Sequence, residues 1–179
     1  FLGGINQNIN NNIESALNNF IDCLELSNKK DDKIGIAKSL MAISKVYWQN
    51  YKIDLSRKYC KLALNIFLDY KLDNQIVISK TLLGNLAGMQ GDLVKALKAY
   101  NAVIDIQKKL NDNIGIAYTY ICMASVMQGE KGLITKGTNS AIEVKNYLTK
   151  AEDIAKNNNL YFLLWYVYTN YAHFYYLIA

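Results

Sequence analysis

Residues 83–97 have the sequence LGNLAGMQGDLVKAL, and this stretch contains the signals that decide the fold. Its apolar residues recur at helical intervals on both sides of the triplet Gln90-Gly91-Asp92. Glycine tolerates the left-handed conformation that ends a helix, and aspartate caps the first turn of the next helix. The stretch therefore predicts two antiparallel helices joined by a tight turn.

Small side chains return along the chain at intervals of 40 residues. One set is Ala16, Ser56 and Ala96, a second is Cys23, Ala63 and Val103, and a third is Gly4, Ser44, Gly84 and Ala124. The pattern returns once more at an offset of 48 residues, with Val144 and Ala151. Agreement across independent positions identifies a repeat protein, and small residues mark the places where paired helices approach closely.

The third repeat resembles the tetratricopeptide repeat (TPR). The resemblance rests on Leu83-Gly84-Asn85-Leu86-Ala87, Gln90-Gly91-Asp92-Leu93, Ala96, Tyr100 and Ile106, with similar residues at 44–47 and 59–66 and between Gly4 and Leu26. The period is similar to that of a long-repeat subtype found in regulatory and scaffold proteins. The resemblance implies an all-α fold, namely a right-handed α-solenoid of antiparallel helix pairs with about four and a half repeats.

The repeat register predicts a single array over residues 1–179. The repeats are expected at residues 1–33 (partial), 34–73, 74–113, 114–159 and 160–179 (partial). An insertion near residues 131–141 lengthens the turn of the fourth repeat, as a flexible loop or as a segment with its own contact. Because both ends cut through a repeat, we expect a segment of a longer array, whose aromatic end is covered by further repeats or by a second molecule of the chain.

The composition excludes several classes of function. Hydrophobic residues are 51% and charged residues 20% of the 179, which is typical of a globular domain. The 20 basic residues are scattered and exceed the 15 acidic residues only slightly, so we expect no nucleic-acid partner. No catalytic or metal-binding motif accompanies the single histidine, so we predict no enzyme activity, no cofactor and no metal. The three cysteines, Cys23, Cys60 and Cys122, have no CxxC or Cys/His pairing, which favours reduced thiols and a cytoplasmic location.

The uncharged stretch from Leu160 to Ala179 is long enough to span a bilayer. It contains Thr169, Asn170 and His173, however, and its tyrosines are spread along its length instead of gathering at the two ends. We therefore predict that it is a helix of the repeat array, and we expect no membrane partner.

The concave surface of the predicted array is the candidate binding site. Stacked helix pairs curve, and the first helix of each pair lines the inside. Side chains at positions i, i+3, i+7 and i+10 of that helix are then expected to face the groove. The partner-binding candidates taken from these rows are Lys38, Met41, Lys45, Trp48, Thr81, Asn85, Tyr118, Ser125, Gln128, Tyr166 and His173.

The types of these residues predict how a partner is held. Amides pair with a peptide backbone, lysines attract acidic groups, and aromatic rings bury apolar side chains. These roles fall on Asn85 and Gln128 for the backbone, on Lys38 and Lys45 for acidic groups, and on Trp48, Tyr118 and Tyr166 for apolar side chains. In similar repeats, an asparagine at the position of Asn85 binds peptide backbone. The family's clamp for chaperone tails, by contrast, is not matched at Met41, Ala42 and Lys45.

Three functions follow as hypotheses. The first is a non-enzymatic module that binds a peptide or helical segment of a partner protein in the groove. The second is a scaffold that assembles into a homo-oligomer through the C-terminal aromatic helix. The third is the sensor or regulatory region of a larger signalling or transcriptional protein.

Overall fold

The computed structural model describes the backbone of residues 2–129 and 134–179, and the side chains in these ranges from Ile13 onward. Within these ranges the chain is all-α, with eight helices and no strand. The helices are α1 (Leu2–Lys29), α2 (Lys33–Gln49), α3 (Ile53–Asp69), α4 (Asp73–Met89), α5 (Leu93–Lys109), α6 (Asn113–Gln128), α7 (Asn139–Asn157) and α8 (Tyr161–Ile178).

Six of the helix connections in the described chain share one geometry. The residue after each helix is in the left-handed region, with φ between 52° and 75°. The next N–H then bonds to the carbonyl five residues earlier, as from Asp32 to Ser27 and from Leu72 to Phe67, both at 2.9 Å. This is a Schellman motif, and it satisfies carbonyl groups that a helix end otherwise leaves unpaired. The six left-handed residues are Asp31, Tyr51, Lys71, Gly91, Asn111 and Asn159.

These turns recur with the period of the small residues. Asp31, Lys71 and Asn111 are 40 residues apart, and Tyr51 and Gly91 have the same separation. The turn that joins two repeats is therefore as tight as the turn inside a repeat. The helices accordingly repeat with the register that the sequence indicates.

The first repeat and the insertion depart from this pattern. Helix α1 runs without interruption for 28 residues, so the first repeat is one helix, not a helix pair. Residues 5–12 contain neither glycine nor proline, and thus no strong signal to stop a helix. The predicted insertion includes residues 130–133, which lie outside the described residues. Directly after them, Ile134 is 5% exposed and belongs to a buried cluster that includes Val144.

The chain forms two compact units, Phe1–Ser79 and Lys80–Ala179, with the boundary inside α4. In the first unit, α2 packs against α1 and α3. In the second unit, α6 packs against α5, α7 and α8, and α7 also packs against α8. Consecutive helices thus pack against each other, as expected of a helical repeat. None of the described helices, α8 included, is both long and apolar enough to cross a membrane.

Small residues occupy the close approaches between paired helices. A Cβ atom added to Gly84 would lie only 2.8 Å from Cε1 of Tyr100. In the second repeat, the Ser44 hydroxyl donates a hydrogen bond to the backbone oxygen of Ser56 at 2.7 Å. Ala124 of the fourth repeat is fully buried. A larger side chain at these positions would push the two helices apart.

Candidate functional site

A cavity of about 220 Å³ lies in the first unit, between α2 and the first half of α4. It is lined by Lys38, Met41, Ala42, Lys45, Phe67, Gln75 and Ile78. The α2 residues share one helix face because they are three, four and seven positions apart. Phe67 of α3 is 1% exposed and provides an aromatic floor. The cavity is smaller than the roughly 300–1,000 Å³ of small-molecule sites, so its size suits one side chain of a larger partner.

The rim of this cavity is positively charged. Lys38 and Lys45 are both exposed, and neither forms a salt bridge with any described residue. The only other polar side chain among the lining residues is the amide of Gln75. An apolar floor with two unpaired ammonium groups and no lining carboxylate is complementary to an apolar side chain flanked by acidic groups.

Two other predicted residues on these helices lie outside the cavity lining. Trp48, at the end of α2, is half-buried. Thr81 of α4 is also half-buried, and it belongs to the second unit. Met41, by contrast, is only 6% exposed but lines the cavity with its thioether side chain.

In the second unit, Asn85 is held from below by a buried tyrosine. The Tyr100 hydroxyl donates a hydrogen bond to Asn85 Oδ1 at 2.6 Å. Tyr100 is 2% exposed, whereas Asn85 is half-buried. Burial raises the pKa of Tyr100 above its usual range, so the hydroxyl keeps its proton and remains a donor.

Tyr118 and Cys122 of α6 lie beside this pair. The Cys122 side chain, one turn along α6 and hydrogen-bonded to the Tyr118 hydroxyl, raises the pKa of that hydroxyl. Burial raises the pKa of the Cys122 thiol to about 11, so the thiol is protonated and unreactive at neutral pH. Tyr118 is 46% exposed, and it is close enough to Tyr166 of α8 for the two hydroxyls to interact electrostatically. This face of the second unit therefore offers neutral polar and aromatic groups.

Gln128 lies between helices and not on an open face. It is 4% exposed, and its Nε2 donates a long hydrogen bond of 3.5 Å to Asn170 Oδ1. Its Oε1 has no hydrogen-bond partner among the described residues. Ser125 and His173 are exposed, so of the candidates near the C-terminal ends of α6 and α8, Gln128 is the one that is enclosed.

The outer side of α8 exposes large aromatic side chains. The exposed fractions are 64% for Trp165 and 80% for Tyr176. Trp165 packs edge-to-face against Tyr166, with ring centroids 4.9 Å apart. Because residues 161–179 contain no charged side chain, this surface is apolar and uncharged along its length.

The sequence analysis missed four residues that shape these two regions. Ala42, Phe67 and Gln75 line the cavity without belonging to the predicted rows. Phe67 lies on the second helix of a pair, and its reach into the cavity depends on a helix crossing that spacing does not encode. The role of Tyr100 had one available signal, because the corresponding positions of the neighbouring repeats are Cys60 and Leu148, neither with a hydroxyl.

Comparisons with known proteins leave the family open. No protein-family model matches the chain, and no curated protein matches its sequence. The resemblance to the tetratricopeptide repeat therefore rests on the residues quoted above.

Proposed function

We propose that the chain is a TPR-type interaction module, a right-handed α-solenoid that binds an acidic peptide segment of a partner protein. One apolar side chain of that segment enters the cavity of the first unit, and neighbouring acidic groups pair with Lys38 and Lys45. The cavity is the observation that supports this function, because it combines an apolar floor with a rim of two unpaired cations.

The two kinds of contact contribute differently to binding. Burying one leucine or phenylalanine side chain is favourable by about 1.5–3 kcal/mol. Ion pairs with exposed lysines are worth roughly 1 kcal/mol or less each, since water and salt screen them. The apolar anchor therefore supplies most of the affinity, and the lysines set the preference for acidic partners and speed their association.

The second unit suits the rest of such a segment. Asn85 and Tyr118 present neutral hydrogen-bonding groups, and Tyr118 and Tyr166 present aromatic rings on partly exposed helix faces. Neutral amide and hydroxyl groups match the main chain of a peptide, whose N–H and C=O groups are also neutral.

A displayed library of random peptides, selected on the purified protein, tests this proposal. We expect the selected peptides to share one large apolar residue flanked by aspartate or glutamate. Ala42→Phe fills the cavity from α2 and should abolish binding of these peptides. Lys38→Glu with Lys45→Glu should reverse the charge preference and weaken binding by about tenfold or more at low salt.

Lys61→Glu is the matched control, because Lys61 is an exposed lysine on α3 that does not line the cavity. It should retain the binding of the parent, and circular dichroism should show equal helix content in all variants. Selected peptides without an acidic–apolar pattern, or full binding by Ala42→Phe, would refute the proposal.

The exposed aromatic side of α8 favours a second candidate function, self-assembly into a homo-oligomer. Apolar patches of this kind on a soluble surface commonly mark protein interfaces. Trp165, at 64% exposure and on an uncharged helix, is the central residue. Sedimentation equilibrium should show a concentration-dependent dimer for the parent chain and a monomer for Trp165→Glu. A parent that stays monomeric at high concentration would exclude this function.

A further inference from the structure

Tyr100 occupies a position that helix packing alone does not reserve for tyrosine. The corresponding residues are Cys60 in the second repeat and Leu148 in the fourth, and both are fully buried. Either a thiol or an aliphatic side chain thus fills this space. A tyrosine there places a hydroxyl in the core, and a buried hydroxyl is costly unless it forms a hydrogen bond.

The third repeat is adapted to bring this hydroxyl to the helix surface. Gly84 has no Cβ, and one added there would lie 2.8 Å from the Tyr100 ring. The ring can therefore lie directly against the backbone of α4, and its hydroxyl reaches the next residue, Asn85. The residues corresponding to Gly84 are Ser44 and Ala124, so among these three repeats only the third combines the glycine, the tyrosine and the asparagine.

The bond between Tyr100 and Asn85 determines what Asn85 offers to a partner. The oxygen–oxygen distance of 2.6 Å is typical of an O–H···O bond and short for an N–H···O bond. The amide oxygen of Asn85 consequently points inward, and the NH₂ group, with two donors, points the other way. That NH₂ group has no hydrogen-bond partner among the residues that the structure describes.

We propose that Tyr100 is a positioning residue that fixes the Asn85 amide with its N–H donors outward, so that the third repeat selects a main-chain carbonyl of the partner segment. A free asparagine amide offers either a donor or an acceptor, whereas this one offers donors alone. The choice of a carbonyl over a carboxylate follows from the neutral groups beside it, Tyr118 and Cys122. This proposal rests on the proposed function for its peptide partner, but the orientation of the amide can be tested without any peptide.

Nuclear magnetic resonance with N-methylacetamide, the smallest mimic of a peptide group, tests the orientation. The Asn85 side-chain NH₂ signals, assigned by their loss in Asn85→Asp, should shift as N-methylacetamide is added to the parent. In Tyr100→Phe the amide is free to rotate, and the shift should fall by about half or more. Tyr147→Phe is the matched control, because it removes a tyrosine hydroxyl that is bonded to Glu143 instead. No shift in the parent, or an equal shift in Tyr100→Phe, would overturn the proposal.

A second measurement uses a short capped peptide of aspartate and glutamate around one leucine, followed by fluorescence polarisation. Asn85→Asp still accepts the hydrogen bond from Tyr100 but has no N–H donor. Its affinity should fall by about 2- to 10-fold relative to Met89→Asp, which adds the same charge one helical turn away. Tyr100→Phe should lose a similar factor.

The outcomes separate the two proposals. If the peptide binds the parent, Asn85→Asp and Met89→Asp equally well, the positioning role is wrong and the proposed function stands. If the peptide does not bind the parent but N-methylacetamide shifts the Asn85 signals in the expected order, the proposed function fails and the positioning role stands.

Discussion

Helices α6 and α8 hold equivalent places in consecutive repeats, but they differ in how much of their surface is covered. They begin 48 residues apart, at Asn113 and Tyr161. Ala124 of α6 is fully buried, whereas the corresponding residue of α8, Ala172, is exposed. The two alanines have the same size and the same place in the helix, so the side chain itself does not explain the difference.

The bare side of α8 is the side of α6 that α7 and α8 cover. Ile121 of α6 belongs to a buried cluster that includes Ala151 of α7 and Leu163 of α8. The α8 residue in the place of Ile121 is Thr169, and it is exposed. A helix of this fold thus gains its burial from the pair that follows it, and no described helix follows α8.

Substituting leucine for each of the two equivalent alanines should give the largest contrast. Ala124→Leu adds three carbon atoms to a packed core and should lower the free energy of unfolding by about 1–3 kcal/mol. Ala172→Leu adds them to an open surface and should change it by no more than about 0.5 kcal/mol. Urea unfolding of both variants at low protein concentration measures the difference. If Ala172→Leu proved as destabilising as Ala124→Leu, the bare side of α8 would be covered in solution.

The same two helices are attached to their preceding helices by different chemistry. Between α5 and α6, the buried Thr119 hydroxyl donates to Gln107 Oε1 at 3.0 Å, and neither group titrates. Between α7 and α8, the Tyr168 hydroxyl donates to Glu152 Oε1 at 3.1 Å. Lys156 pairs with the same carboxylate at 2.6 Å. The attachment of α8 is therefore sensitive to pH, and that of α6 is not.

Lowering the pH should expose this difference as a smaller effect. The Lys156 ammonium, followed by the Tyr168 hydroxyl, holds the pKa of Glu152 below its ordinary value of 4.5. A carboxylate with a lowered pKa stabilises the fold above its unfolded pKa, and that stabilisation is lost as the pH falls through the folded pKa. Thermal unfolding between about pH 6 and pH 3 should therefore show a shallower loss of stability for Glu152→Gln than for the parent.

Asp153→Asn is the control for this titration, because Asp153 is the exposed neighbouring carboxylate on α7. Its pH profile should follow that of the parent more closely than Glu152→Gln does. Identical profiles for Glu152→Gln and the parent would show that the contact does not hold α8 in solution.

The helices and their period were predictable from the sequence, but the way most of them end was not. Gly91 is a recognisable stop signal, and a turn was expected there. Tyr51 and Lys71 adopt the same left-handed conformation without being glycine. Their strain is offset by backbone hydrogen bonds and by packing of the helices on both sides, and neither contribution is visible in a single residue.

The candidate site was predicted less well because a helix turns by about 100° per residue. Position i+7 lies only about 20° from position i, whereas i+3 and i+10 lie about 60° and 80° away on one side. Lys45 and Ser125, both at i+7, are indeed exposed. Met41 at i+3 and Gln128 at i+10 rotate toward the neighbouring helices and are buried. The row of predicted residues is thus narrower than its spacing suggests.

The Schellman turns also bear on how the chain folds. Each turn closes through backbone groups within six residues, as from Lys52 N–H to the Tyr47 carbonyl, and needs no distant part of the chain. The helix pairs that these turns join contact one another at short sequence separation. A chain dominated by such local contacts loses little loop-closure entropy before its first contacts form. Folding can therefore begin at any helix pair and extend to its neighbours, so the early steps need no single nucleus.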